Sequence, residues 1–167
     1  LFPKAPDGIR GEILWERYVT SEAPSGLLQL EGAAAHVPGV KVRNLDVHEQ
    51  FLGALVRGDR ERIAALLDDN CIWAVRSYLP DAAAKPMATA QGAREALSLI
   101  DRWLAAYTLE RVSVLNRLVT EWYVFAEELL VVGVKGGRGR PRRRQYRKAS
   151  FYPISPAGRI QGELGYG

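Results

Sequence analysis

The sequence predicts an α+β domain, with helices through its first half and an antiparallel meander through its second. Three observations carry that reading. Apolar residues recur at three- and four-residue spacing between Val47 and Val56 and again between Ala96 and Tyr107, the period of a helix packed by one face. From about residue 109 onward the pattern changes to runs of strand formers divided by turn residues. The longest run, Val124-Phe125-Ala126-Glu127-Glu128-Leu129-Leu130-Val131-Val132-Gly133, carries acids inside an apolar strand. A carboxylate in such a wall is costly to bury, so it points to a pocket.

The elements follow in order. Residues 1–43 are broken by Gly8, Gly11, Pro24, Gly26, Gly32, Pro38 and Gly39 into pieces, with short helices expected near 12–20 and 27–35. Trp15, Tyr18, Leu27, Leu28 and Leu30 are too many apolar anchors for a free tail, so this stretch is expected to be an arm packed on the main domain, residues 44–167, or on a partner subunit. Asn44 or Asp46 is expected to cap a first helix bearing Val47, Phe51, Leu52, Leu55 and Val56, which Gly58-Asp59 ends while starting a second with Ile63, Leu66 and Leu67. Asp68-Asp69-Asn70 makes a turn into a strand over 71–78, and a loop through Pro80 and Pro86 leads to Gly92 and a third helix with Ala96, Leu97, Ile100, Trp103, Leu104 and Tyr107 on one face. Strands are expected over 109–118, 122–134, 144–154 and 159–166, the last two joined by the turn Pro156-Ala157-Gly158.

Composition bounds the function. With 167 residues, 47% hydrophobic and 25% charged, the chain suffices for one domain with a sizeable core. No apolar stretch reaches the roughly 18 to 20 residues of a membrane span, and Leu1-Phe2-Pro3-Lys4-Ala5-Pro6 lacks a signal-peptide core. The absence of an initial Met leaves room for residues upstream. A single cysteine, Cys71, permits no internal disulfide, which fits a cytoplasmic location, and rules out a metal site built on cysteines. Asp68 and Asp69 without a histidine partner make a poor metal site, and no glycine-rich phosphate loop opens a helix, so neither metal nor cofactor is expected.

Charge is uneven. Eight basic residues and no acid lie between Lys135 and Lys148, which leaves −4 for the rest of a chain whose total is +4. The glycines and proline of 136–141 make this a hairpin connection in which Arg138, Arg140, Arg142, Arg143 and Arg144 are either solvated or in contact with an anion. A nucleic-acid backbone is one such anion, although Tyr146 is the only aromatic interleaved there.

Four local signatures in this order, Phe51 through Gly58-Asp59, Leu66-Leu67-Asp68-Asp69 entering a strand, the Glu128 to Gly133 strand end, and Gly158-Arg159-Ile160 leading into the last strand, resemble the nuclear transport factor 2-like superfamily. That group includes SnoaL-like polyketide cyclases, ketosteroid isomerases and limonene-epoxide hydrolases. The resemblance covers residues 46–167 and implies a curved, mostly antiparallel sheet wrapped as a cone around three helices, with a ligand pocket inside and a homodimer through the outer face of the sheet. The catalytic residues known in those enzymes do not carry over: the isomerase tyrosine and aspartate fall on Phe51 and Ala74, and the epoxide hydrolase positions on Ala74 and Gly165.

What the resemblance leaves is a different inventory. In the register it implies, Ile72, Ala74 and Arg76 face the pocket and Trp73 and Val75 face away, with Glu128 and Glu163 as the inward acids; an offset of one residue exchanges Glu128 for Glu127. The expected roles are Glu128 as acid or base, Arg76 stabilising developing negative charge and Glu163 tuning or orienting, with Phe51, Ile72, Ala74, Trp103, Trp122, Leu130 and Tyr166 as ligand-binding wall. His48, near the start of the first helix, and His36, in the arm, are read chiefly as packing or hydrogen-bonded residues. Two functions stay open. One is a small-molecule pocket protein performing cofactor-free isomerisation, dehydration or cyclisation on an apolar, ring-containing substrate. The other is a non-catalytic ligand-binding or dimeric adaptor module whose basic hairpin contacts an anionic partner.

Overall fold

The structure is a computed structural model that describes residues 39–75, 88–135 and 142–166. The expectations for the amino-terminal arm, Arg76, the Pro80–Pro86 loop, Arg138 and Arg140 lie outside the described residues. Helix α1 runs Val40–Arg57, α2 Arg60–Leu66 and α3 Ala93–Ala106; the strands are β1 Leu67–Val75, β2 Ala88–Gln91, β3 Tyr107–Val119, β4 Tyr123–Val134, β5 Arg142–Pro153 and β6 Ile160–Tyr166. The strands form one mixed, open sheet in the order β2-β1-β6-β5-β4-β3, antiparallel except where β1 runs parallel to β6. Helices on one side of this curved sheet enclose the core, so the class is α+β as expected. Among the described residues, no helix is long and apolar enough to cross a membrane.

Local chemistry explains most boundaries. Gly58 closes α1 in the left-handed region at φ 64°, and the Asp59 carboxylate accepts from Arg62 N at 3.0 Å to open α2. The start of α1 corrects the expected caps at Asn44 and Asp46. The helix begins earlier, after Gly39 at φ 88°, because Asn44 is buried and its side-chain amide donates to Thr120 O at 2.9 Å instead of capping. Arg43 Nη1 also donates to Pro156 O at 2.6 Å, so two turns of the sheet hold the first helix in place.

Strand β1 departs from the expected layout in two ways. It takes in Asp68, Asp69 and Asn70, with a bulge between Leu67 and Ile72 against β6, and it gains β2 as an antiparallel neighbour. The four residues of β2, Ala-Thr-Ala-Gln, lie where the sequence suggests only a loop.

The core lies between sheet and helices: Phe51, Ile63, Leu67, Trp73, Val124, Tyr152 and Ile160 are fully or almost fully buried. Phe51 meets the rings of Trp73 at 5.8 Å and Tyr152 at 6.1 Å, centroid to centroid.

Candidate functional site

Alternation along β4 sends Val124, Ala126, Glu128, Leu130 and Val132 inward and Phe125, Glu127 and Leu129 outward. The inward position is therefore Glu128, fully buried, whereas Glu127 faces the surface with Asn116 and Arg147. Antiparallel register sets Lys148 of β5 directly opposite Glu128, and the same parity turns Tyr146, Ser150 and Tyr152 inward. In β6 the inward residue is Glu163, aligned with Trp73 of β1.

These strands and α1 bring six polar side chains together. Lys148 Nζ donates to Glu163 Oε1 at 2.5 Å and lies 3.4 Å from Glu128 Oε2. Ser150 Oγ donates to Glu163 Oε1 at 2.8 Å. The Tyr152 hydroxyl stands between the acids, 3.3 Å from Glu128 Oε1 and 3.4 Å from Glu163 Oε1. From α1, the buried His48 brings Nε2 to 3.2 Å from Glu128 Oε1, off the line of a well-formed hydrogen bond, with its ring 4.7 Å from that of Tyr152.

Burial pushes the Glu128 carboxyl up, but the Lys148 charge and then His48 outweigh it, and the group is held below the usual carboxylate range. The Tyr152 phenol is driven well above its ordinary value by burial and then by the charges of Glu128 and Glu163. Tyr146 moves in the same direction, again chiefly through burial. At neutral pH the cluster therefore contains a firmly ionised Glu128 and neutral phenols.

In front of it lies a cavity of about 230 Å³. Its walls are Phe51, Leu52, Leu55, Trp73, Val75, Leu99, Ile100, Trp103, Leu109, Val112 and Leu130; Glu128, Tyr146, Lys148 and Glu163 supply its polar surface.

The sequence-derived site residues divide accordingly. Glu128, Glu163, Phe51, Trp103 and Leu130 border this cavity. The inward register of Ile72 and Ala74 is corrected: Trp73 and Val75 border the cavity instead, and Ile72 is 46% exposed. The implied register counted on from Asp68-Asp69, and the bulge between Leu67 and Ile72 breaks that spacing. Trp122 and Tyr166 also lie away from the cavity. Trp122 is 37% exposed against Tyr123 and Phe151, and Tyr166 is 51% exposed beside Phe125 and Ala149 on the outer face. Arg142, Arg143 and Arg144 are exposed on strand β5, not in a loop, and Arg143 pairs with Glu110 at 2.9 Å. Sequence reasoning missed His48, Lys148, Ser150 and Tyr152 as members of the site. The spacing of two along 146, 148, 150 and 152 was the available signal for the last three.

No family model and no curated relative matches the chain. Solved structures do. An LEH-like epoxide hydrolase of Mycobacterium tuberculosis superposes with a TM-score of 0.59 at 18% identity, over 75% of this chain and 82% of that one. A second M. tuberculosis protein, solved in complex with estradiol-17β-hemisuccinate, gives 0.61 at 18% identity, over 75% and 93%. A Δ5-3-ketosteroid isomerase from Mycobacterium sp. gives 0.59 at 16% identity, over 75% and 92%. The fold is that of the nuclear transport factor 2-like superfamily. Within this nuclear transport factor 2-like frame, the chain carries its acids on the fourth and sixth strands and their lysine on the fifth, with Phe51 as part of the apolar wall.

Proposed function

We propose that this chain is a small-molecule pocket protein of the SnoaL-like group that performs cofactor-free proton transfer, as in isomerisation, dehydration or cyclisation, on an apolar ring-containing substrate. The observation that carries the reading is the ionised Glu128 carboxylate buried at the end of an apolar cavity. Glu128 accepts a proton from the substrate, Lys148 offsets the negative charge left behind, and His48 and Tyr152 hold the carboxylate in place while Glu163 fixes the lysine. The solved structures of like fold, one in complex with estradiol-17β-hemisuccinate and one a ketosteroid isomerase, support a ring-containing ligand as a class but not its size or charge.

The test is solvent deuterium exchange at the acidic carbon of 2-tetralone, followed by NMR. The wild-type protein accelerates exchange, and Glu128→Gln lowers the acceleration by ~10²-fold or more while leaving the fold intact. Equal exchange in both proteins removes Glu128 from the chemistry.

A second reading, a non-catalytic binding or dimeric adaptor module, has its own support: a carboxyl held below the usual range is a weak base. Leu118 and Phe125, exposed on the outer sheet face, fit a homodimer contact, and Arg142, Arg143 and Arg144 fit an anionic partner. On this reading the wild-type protein binds 2-tetralone without exchanging its protons.

A further inference from the structure

The two buried acids are bonded unequally. Glu163 Oε1 receives Lys148 at 2.5 Å and Ser150 at 2.8 Å. Among the described residues, Glu128 has longer contacts: His48 Nε2 at 3.2 Å and misaligned, the shared Tyr152 hydroxyl at 3.3 Å from Oε1 and 3.4 Å from Oε2, and Lys148 at 3.4 Å. Charge-assisted hydrogen bonds to carboxylates run ~2.7–2.9 Å. A fully buried carboxylate, which can only accept, thus borders the cavity with every contact longer than that, and keeps capacity to accept a shorter bond from a ligand.

The space that the described residues bound in front of it is small. An apolar cavity of roughly 150 Å³ holds benzene. By proportion, about 230 Å³ holds on the order of nine or ten heavy atoms, one or two fused rings. Phe51, Trp73 and Trp103 give it aromatic walls suited to a ring compound. A third negative charge beside Glu128 and Glu163 would face only one bordering cation among the described residues, Lys148, already drawn to Glu163.

We infer that the ligand is a neutral one- or two-ring compound whose hydroxyl or N–H group donates to Glu128, and that the cavity discriminates against organic anions and four-ring compounds. This rests on the small-molecule pocket reading and narrows it by size, charge and hydrogen-bonding sense. The donor replaces the long protein contacts of Glu128 with a bond of normal length, while the rings displace water from an apolar wall.

The experiment is titration calorimetry of the full chain with four probes: 2-naphthol, naphthalene, 2-naphthoate and estradiol. The first three share a ring system, and estradiol presents a phenol like that of 2-naphthol on a larger body. 2-Naphthol is expected to bind at least ~10-fold more tightly than each of the others. In Glu128→Gln its advantage over naphthalene shrinks to a few-fold. Parity of 2-naphthol with naphthalene overturns the role of Glu128 as acceptor; parity with 2-naphthoate overturns the charge selectivity, and parity with estradiol the size limit. Each of these leaves the pocket reading standing, whereas failure of all four to bind removes both.

Discussion

Lys148 is the side chain on which the buried cluster depends, and replacing it with methionine isolates that dependence. The residue is 5% exposed and is the cation that neutralises Glu128 and Glu163 across β4, β5 and β6. Methionine fills much of the same volume but removes the charge that both carboxylates share. Breaking a buried pair in this way costs ~3–5 kcal/mol, a large part of the ~5–15 kcal/mol that holds a domain together. Urea unfolding at pH 7.5 measures the loss directly.

The pH dependence makes the test sharper, because its sign reverses. In the wild-type protein the folded value of Glu128 lies below its unfolded value. Its contribution is present above the unfolded value of 4.5 and is lost as pH falls through the folded one. In Lys148→Met, burial and mutual repulsion favour proton uptake by the cluster on folding, wherever in it the proton settles. Stability then rises as pH falls from 7.5 toward 5, by up to ~1.4 kcal/mol per pH unit for one proton, where the wild type is flat or falling. Lys148→Met/Glu163→Gln removes the excess charge and recovers part of the loss with a flatter profile. A Lys148→Met protein within ~1 kcal/mol of wild type, with the same pH profile, would refute the electrostatic account of the site.

Three further outcomes follow from the same geometry. Gly162→Ala sets a Cβ 1.9 Å from Ile72 O and lowers stability by ~3 kcal/mol or more, read from the urea midpoint. Trp73→Ala costs ~3–5 kcal/mol and enlarges the cavity, so it selectively improves estradiol binding relative to 2-naphthol. Arg143→Ala breaks an exposed pair with Glu110 and changes stability by no more than ~1 kcal/mol; if β5 meets a polyanion, it also weakens heparin binding and reduces its salt dependence.

What could be read from the chain was what local chemistry decides. Gly58 and Asp59 end one helix and start the next wherever the chain goes, and the β4 alternation marks Glu128 by its shared parity with Val124, Ala126, Leu130 and Val132. The first turn of α1 gave no signal because its outer residues are solvated, with Val42 71% exposed. Strand β2 was hidden for a different reason: four residues without an apolar alternation become a strand only through pairing with β1. The bulge in β1 is likewise a tertiary event, and it changed which side of that strand meets the cavity. Lys148 was concealed by its neighbours. In a run of eight basic residues it reads as one more solvated charge, and only the register that sets it opposite Glu128 distinguishes it.

The same lysine bears on the choice between catalysis and binding. Two carboxylates share this buried site because Lys148 accompanies them, and its charge is also the largest influence lowering the proton affinity of Glu128. A base strong enough to take a proton from carbon needs that influence relaxed at the moment of transfer. The geometry offers a route: the closer bond of Lys148 is already to Glu163, at 2.5 Å against 3.4 Å to Glu128, so a turn of the ammonium away from Glu128 on ligand entry would raise the proton affinity of Glu128 while Lys148 keeps its bond to β6. Glu163 is then the partner that allows Lys148 to move. In that case Glu163→Gln, which removes the closest carboxylate partner of Lys148 and leaves it drawn to Glu128, depresses turnover without weakening the binding of a neutral ring compound. If the cavity only binds, the same substitution leaves nothing to depress.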